Sequence, residues 1–329
     1  MTIKRRNMLA TGAALLAAPA LVRAETSDWP RRPVTILVPF DAGGSADRMA
    51  RGFAQFMPKY LGQPMTVTDR AGAGGMIGTT WFLQQPADGY TTMLTPATPF
   101  IPVNILVTHA RYTLDSFTFV NAQWTDYSLL VVPKDRPWKT AGELIDAIKA
   151  NPGKISTSAD FGSVGHITTM ALLDSLGLKP DAVRIVTFDG AGAMRTALAG
   201  GQVDFNIGQA EGATPIRDFI RPLAVFLDHR APDYDAPPIN DVLKPYGTTV
   251  PIINGSVRTF VFPAAFKAKR PDDYAKFVSA YRQTLDDPAF KAWLKDNQMA
   301  GDWVGEEKTT AIIRANYDGL QKYKDLIKP

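Results

Sequence analysis

The sequence predicts an α/β protein of two domains, each a mostly parallel sheet flanked by helices, with a ligand cleft between them. Short apolar strands alternate with helical patterns in two separate series, the pattern of helix-covered sheets. Several of these strands run into loops of Gly or small polar residues just ahead of a helix. The closing helices follow an apolar stretch that can rejoin the first sheet, so the first domain is built from both ends of the chain. The expected bounds are an export segment at 1–24, a discontinuous domain at 25–128 plus 252–329, and an inserted domain at 129–251.

The first series opens with the β-branched run Val34–Val38, entered through Pro30 and Pro33 and closed by Pro39. The loop Asp41-Ala42-Gly43-Gly44-Ser45 leads into a helical pattern over Ala46–Tyr60. Met65–Thr68 is a second strand, Gly72-Ala73-Gly74-Gly75 a second loop, and a helix runs from there to about Gln85. Asp88-Gly89 turns into the strand Tyr90–Leu94. The second series starts at strand Tyr127–Val132, and its helix Ala141–Ala150 is stopped by Asn151-Pro152-Gly153. Strand Lys154–Ser158, helix His166–Leu176, strand Val183–Thr187, helix Ala193–Ala199 and strand Val203–Ile207 follow. Past Arg221–Phe226, the Pro/Asp-rich stretch Ala231–Pro238 reads as a surface loop. Strand Val257–Pro263 and helices Asp272–Leu285, Ala289–Asp296 and Glu306–Leu326 complete the chain.

The 329 residues carry 36 basic and 32 acidic side chains, and no Cys. Four of the basic residues, Lys4, Arg5, Arg6 and Arg23, fall in the first 24 positions, which hold no acid. The remaining chain therefore carries 32 of each sign, which argues against nucleic acid as a partner. Those first positions read as a charged start, a short apolar stretch (Met8–Val22) and the small-residue site Val22-Arg23-Ala24, with cleavage expected before Glu25. Arg5-Arg6 resembles a twin-arginine export signal, with an ordinary secretory signal that holds two Arg as the alternative. The stretch is short of the ~20 apolar residues of a membrane span. Without Cys there is no disulfide, no thiolate metal site and no Cys nucleophile, so an exported fold must rest on its cores.

Familiar catalytic and nucleotide motifs do not complete. Gly72-x-Gly74 meets Ile77 where a dinucleotide fingerprint needs Gly, and Asp41–Ser45 lacks the Lys of a phosphate loop. Gly43-Gly44-Ser45-Ala46-Asp47 has Asp where a nucleophile elbow has Gly. His109, His166 and His229 stand apart with no metal-ligand spacing, and a His opening a helix is commonly a loop or capping residue. The acid pairs Asp272-Asp273, Asp286-Asp287 and Glu306-Glu307 sit at helix ends, where they complement the dipole. No cofactor, metal or catalytic residue is expected. What the loops retain is backbone N–H groups at helix N-termini, suited to a carboxylate. Ser156–Ser163, Phe188–Gly192 and Gln209–Gly212 repeat the theme in the second half, each after a strand, where open α/β sheets bind ligands.

Several segments together resemble one family. They are Trp29-Pro30-x-Arg32-Pro33-Val34, Val38-Pro39-Phe40-x-Ala42-Gly43-Gly44-x-x-Asp47, Leu61-Gly62-Gln63-Pro64 and Arg70-x-Gly72-Ala73-Gly74-Gly75-x-Ile77-Gly78. Pro86-x-Asp88-Gly89-Tyr90-Thr91, Asn151-Pro152-Gly153-Lys154 and Gly200-Gly201-Gln202-Val203-Asp204 continue the series. In order over most of the chain, they resemble the tripartite tricarboxylate transporter receptors, the Bug-type periplasmic solute-binding proteins. The resemblance implies a type II-like periplasmic binding fold closing on a small organic carboxylate, which a membrane permease then receives. It also implies a monomer located in the periplasm. By resemblance the ligand contacts fall on Phe40, Ala42, Gly43, Gly44, Asp47, Thr95, Ala97, Thr98, Ser158, Asp160, Gly162, His166, Gly190, Ala191, Gln209 and Glu211. Ligand charge is expected to be met by backbone dipoles rather than by a buried Arg.

Three acids depart from the family pattern: Asp160, Asp189 and Glu211. On cleft loops they would repel a plain dicarboxylate. The ligand then carries an amino or N-heterocyclic group, or Arg195 compensates an acid, or the acids point away from the cleft. Two other functions stay open at this level: a secreted hydrolase or lyase reusing the fold, and a receptor feeding a signalling partner.

Overall fold

The computed structural model describes residues 28–321, 324 and 325, except 189, 232 and 254. The export segment and Asp189 lie outside the described residues.

Six strands form the first sheet: β1 (Val34–Val38), β2 (Met65–Asp69), β3 (Thr91–Pro96), β4 (Phe117–Phe119), β5 (Trp124–Thr125) and, from the far end of the chain, β11 (Val257–Pro263). The second lobe contains β6 (Ser128–Pro133), β7 (Ser156–Asp160), β8 (Arg184–Phe188), β9 (Asn206–Gln209) and β10 (Ile220–Val225). The first sheet runs β2-β1-β3-β11-β4, with β5 also on β11. In the second lobe β10-β6-β9 form one sheet, and the β7-β8 pair reaches it through a parallel bridge, Thr157 to Phe205.

The α/β class and the helical cover are present, but the predominance of parallel pairing is not. β1 pairs parallel with β2 and β3, and β7 with β8; β11 and β6 run antiparallel to their neighbours. The reason is the crossing. β6 and β11 are the strands that carry the chain between lobes, so each enters its sheet at the cleft end, where the parallel strands finish.

Alternation within strands builds a core on each sheet face. Val34, Ile36 and Val38 join the aromatic cluster of Phe53, Phe260, Phe277, Tyr281 and Phe290, whereas Leu37 and Val261 face the opposite cluster with Phe82 and Ile101. In the second lobe Leu130 and Val132 enter one core, and Leu129 and Val131 the other. Strands buried on both faces read as near-continuous apolar runs, as Val34–Val38 does apart from Thr35.

Two local expectations change. The helix expected over Ala46–Tyr60 is Ser45–Phe56 followed by Pro58–Leu61, because Pro58 has no N–H to donate to the continuing ladder. The contacts implied at Thr95, Ala97 and Thr98 do not sit on a loop: Thr95 is in β3, and the helical segment Ala97–Leu106 follows directly, with Thr98 extended inside it (φ −102°, ψ 141°). No helix among the described residues is long and apolar enough to cross a membrane.

Candidate functional site

The loop after β1 is organised by Asp47. Its Oδ2 accepts the Gly43 N–H at 2.7 Å, and Arg51 Nε lies 2.7 Å from Oδ1. Gly43 sits at φ 82°, a conformation that favours glycine. The helix Ser45–Phe56 then starts from Gly44 without a side-chain cap, so its first N–H groups have no side-chain partner. The helix Ala191–Ala199 in the second lobe starts likewise, from Gly190. The two starts meet across the cleft. A Cβ on Gly190 would lie 3.0 Å from Asp41 Cβ, and one on Gly192 would lie 3.6 Å from the Ala42 carbonyl.

Between the lobes is a cavity with about 930 Å³ of empty space, its open mouth included. Phe40, Gly44–Asp47, Pro96 and Phe100 form the first lobe's wall. The second lobe contributes Leu129, Val131, Ala159, Asp160, Ser163–Gly165, Ala191, Met194, Arg195, Leu198, Asn206–Gln209, Gly212, Ala213 and Ile216. The lining is mostly apolar, with a few polar groups, the composition of a small-molecule site.

Of the residues expected at the site, Phe40, Gly44, Asp47, Asp160, Ala191 and Gln209 line this cavity. Gly43 borders a shallower pocket at its edge with Gly192 and Arg195. Gly190 and the exposed Ala42 belong to the loop-to-loop contact.

The others stand behind the wall. Thr95 is a buried strand residue paired with Thr259, and Ala97 is core. Thr98 Oγ1 accepts the Val257 N–H at 2.9 Å, tying the segment that leads into β11. Ser158 accepts Asn206 Nδ2 through both its carbonyl (2.8 Å) and its hydroxyl (3.1 Å), so Asn206 is the one facing the cavity. Gly162 packs against Val103. His166 Nδ1 accepts the Gly162 N–H at 3.1 Å while burial pushes its pKa down. It is therefore a neutral ring holding a loop, with its proton on Nε2. The helix it belongs to starts earlier than expected, at Val164, capped by Ser163.

Glu211 is engaged across the cleft: its Oε1 accepts Arg48 Nη2 at 2.6 Å. Arg195 makes no ion pair with it but donates from Nη2 to the Gly43 carbonyl at 2.8 Å, and the two charges attract at longer range. The most informative residue is one the sequence reading passed over. Arg258, on β11, is completely buried. Its Nε donates to Ser45 Oγ at 2.9 Å and its Nη2 to Gln209 Oε1 at 2.6 Å, with Asp126 Oδ2 4.0 Å away and the Trp124 ring 3.9 Å beneath. A buried Arg thus stands directly behind two residues of the cavity wall, Ser45 and Gln209. A lone Arg inside the apolar run Val257–Pro263 was the available signal, since a charge in a strand buried on both faces needs built partners.

Burial pushes the Asp126 carboxyl up to about 6; Arg258 pulls against this and Glu211 adds to it, while the Tyr127 and Glu211 N–H groups favour the charged form. The unfolded value is about 3.9, so the folded state holds this proton more tightly. The group's contribution to stability therefore rises as pH falls through about 6. From pH 7 to pH 5 the gain is about 1 kcal/mol. Thermal unfolding at the two pH values should show it as a difference between wild type and Asp126→Asn, whose curve lacks this increment. Parallel pH profiles would reject it.

Among the described residues no group of three His, Asp or Glu is placed to hold a metal ion.

The comparisons agree with this architecture. The family model for the tripartite tricarboxylate transporter family receptor matches residues 49–329. A UPF0065 protein from the gbd 5′ region of Cupriavidus necator is 30% identical over 93% of this chain and 90% of its own length. A UPF0065 protein of Pseudomonas sp. strain P51, from the tcbD-tcbE intergenic region, is 34% identical over 62% of this chain; the match spans 60% of that relative. MatC of Rhodopseudomonas palustris, solved with bound malate, superposes with a TM-score of 0.75 at 25% identity, over 91% of this chain and all (100%) of that one. With a matching model over most of its length and the fold of a periplasmic binding protein, the chain belongs to the tripartite tricarboxylate transporter receptor family.

Proposed function

We propose that this protein is an exported, non-catalytic receptor that captures a small organic carboxylate between its lobes and hands it to the membrane permease of a tripartite transporter. The observation that carries this reading is the convergence of two helix N-termini without side-chain caps, at Ser45 and Ala191, on one apolar cavity from different lobes. Such ends attract an anion through their N–H groups and dipoles, and an apolar surround strengthens that attraction. The malate seen in MatC supports the ligand class.

In this reading the protein acts as a monomer in the periplasm, after cleavage behind Ala24 and export by the twin-arginine route. The lobes correspond to residues 25–128 plus 252–329 and to 129–251. Receptor function without chemistry fits an interlobe site in which Asp47 is held by Gly43 and Arg51, and Glu211 by Arg48.

Asp160 in the cavity wall favours a carboxylate that also carries an amino or ring-nitrogen donor. A thermal-shift panel tests this. At ~100 times Kd a ligand adds about 2.7 kcal/mol, a shift of several degrees. Amino acids and N-heterocyclic acids should raise the Tm more than malate or adipate. Stabilisation by the plain dicarboxylates alone would remove the donor requirement while leaving the receptor.

A further inference from the structure

Arg258 reaches the cavity only through two other residues, and its chemistry dictates what those residues can do. A guanidinium donates and never accepts. Ser45 Oγ, 2.9 Å from Nε, must therefore accept, which leaves its hydroxyl hydrogen to be donated elsewhere. Gln209 must likewise turn its Oε1 to Nη2, at 2.6 Å, and point its NH₂ away. Both residues line the cavity, Ser45 from the first lobe and Gln209 from the second. A hydroxyl and an amide are ambivalent groups; bound to a cation, each becomes a polarised donor.

We propose that Arg258 is a positioning residue for anion recognition, which holds Ser45 and Gln209 as a pair of donors, one per lobe, for a single ligand carboxylate. The proposal rests on the carboxylate-receptor reading above. The positive charge stays off the ligand itself: it is wholly buried, seated on Trp124 and partly balanced by Asp126. Its Nη1 is buried and has no hydrogen-bond acceptor among the described residues, so its donor capacity is not exhausted by the protein. Because the two donors belong to different lobes, they converge only when the cleft is closed. A carboxylate is thus gripped on closure, and a neutral isostere of the same shape is gripped less.

The test uses the mature protein with benzoate, nicotinate, 4-aminobutyrate, malate and adipate, each titrated beside its amide. Three variants are compared: Gln209→Glu, which keeps an acceptor for Arg258 and removes the NH₂; Ser45→Ala; and Arg258→Lys. Wild type should prefer at least one carboxylate strongly over its amide. Gln209→Glu should lose about 10- to 100-fold in carboxylate affinity, the range for hydrogen bonds to a charged group, and Ser45→Ala about 10-fold. Arg258→Lys, which cannot hold both partners in a fork, should lower the carboxylate-to-amide ratio about 10-fold. If that variant does not fold, the other two still decide, since neither removes a buried charge. An unchanged carboxylate-to-amide ratio in folded variants overturns the proposal and leaves the receptor reading intact. Failure of the wild type to bind any of the five carboxylates overturns the receptor reading and the proposal with it.

Discussion

Replacing Gly165 by alanine is expected to cost about 3 kcal/mol or more and to lower the Tm by roughly 6 °C or more. Gly165 is in the first turn of the helix Val164–Ser175, and a Cβ there would stand 1.9 Å from the carbonyl oxygen of Ile207 in β9. That atom is backbone, held in a ladder with β6, so it cannot swing aside as a side-chain tip would. Either the helix start or β9 must move, and both form the cavity wall through Ser163–Gly165 and Asn206–Gln209. The substitution should therefore weaken ligand binding as well as stability. Gly319 provides the control: it lies in the helix Glu306–Leu320 with nothing within 4 Å of its Cβ position. Gly319→Ala should be neutral or stabilising by about 0.5–1 kcal/mol. Denaturation midpoints of the two variants measure the contrast, and a Gly165→Ala protein as stable as wild type would show that the helix–strand contact is looser than described.

How far the sequence disclosed this site depended on the range of the interaction. Val34–Val38, Ala141–Ala150 and Val257–Pro263 occupy the residues expected of them, because period and punctuation are local properties. Ala97–Leu106 gives no comparable local signal: Pro99 and Pro102 are helix breakers by residue type, although Pro99 falls in the first turn, where no N–H is needed. The loops after β1 and β9 and the start of the Ala191 helix were legible as cleft elements. Which side chains they turn inward was not. His166 and Ala191 both follow strand-to-helix loops, yet one ring holds Gly162 and the other residue meets the cavity. Arg258 shows the limit most clearly. Its partners Ser45, Asp126 and Gln209 lie 213, 132 and 49 positions away, and nothing in a single sequence links them.

Separate replacement of Arg48 and Glu211 by alanine should weaken ligand binding about 30-fold each while leaving most of the thermal stability. Arg48 belongs to the helix Ser45–Phe56 in the first lobe and Glu211 to the helix Ala210–Ala213 in the second. Their 2.6 Å contact is largely withdrawn from water, with side-chain exposures of 25% and 10%. A surface pair is worth a few tenths of a kcal/mol, and breaking a buried one costs about 3–5 kcal/mol, so about 2 kcal/mol suits this burial. The loss falls on closure, because lobes that part to admit a ligand return both charges to water, where pairing contributes little. After Glu211→Ala, Arg48 faces Arg195 and Arg258 with its own counter-charge gone; after Arg48→Ala, Glu211 loses its ion-pair partner beside Asp126, with only the longer-range attraction of Arg195 and Arg258 left. The double variant removes both partners, so it should bind no worse than either single one, giving a coupling of at least about 2 kcal/mol in the thermodynamic cycle. Affinities for the carboxylate that most stabilises the wild type provide the measurement. Strictly additive losses would mean that the two side chains act independently, and that closure is driven by the ligand and the loop contacts alone.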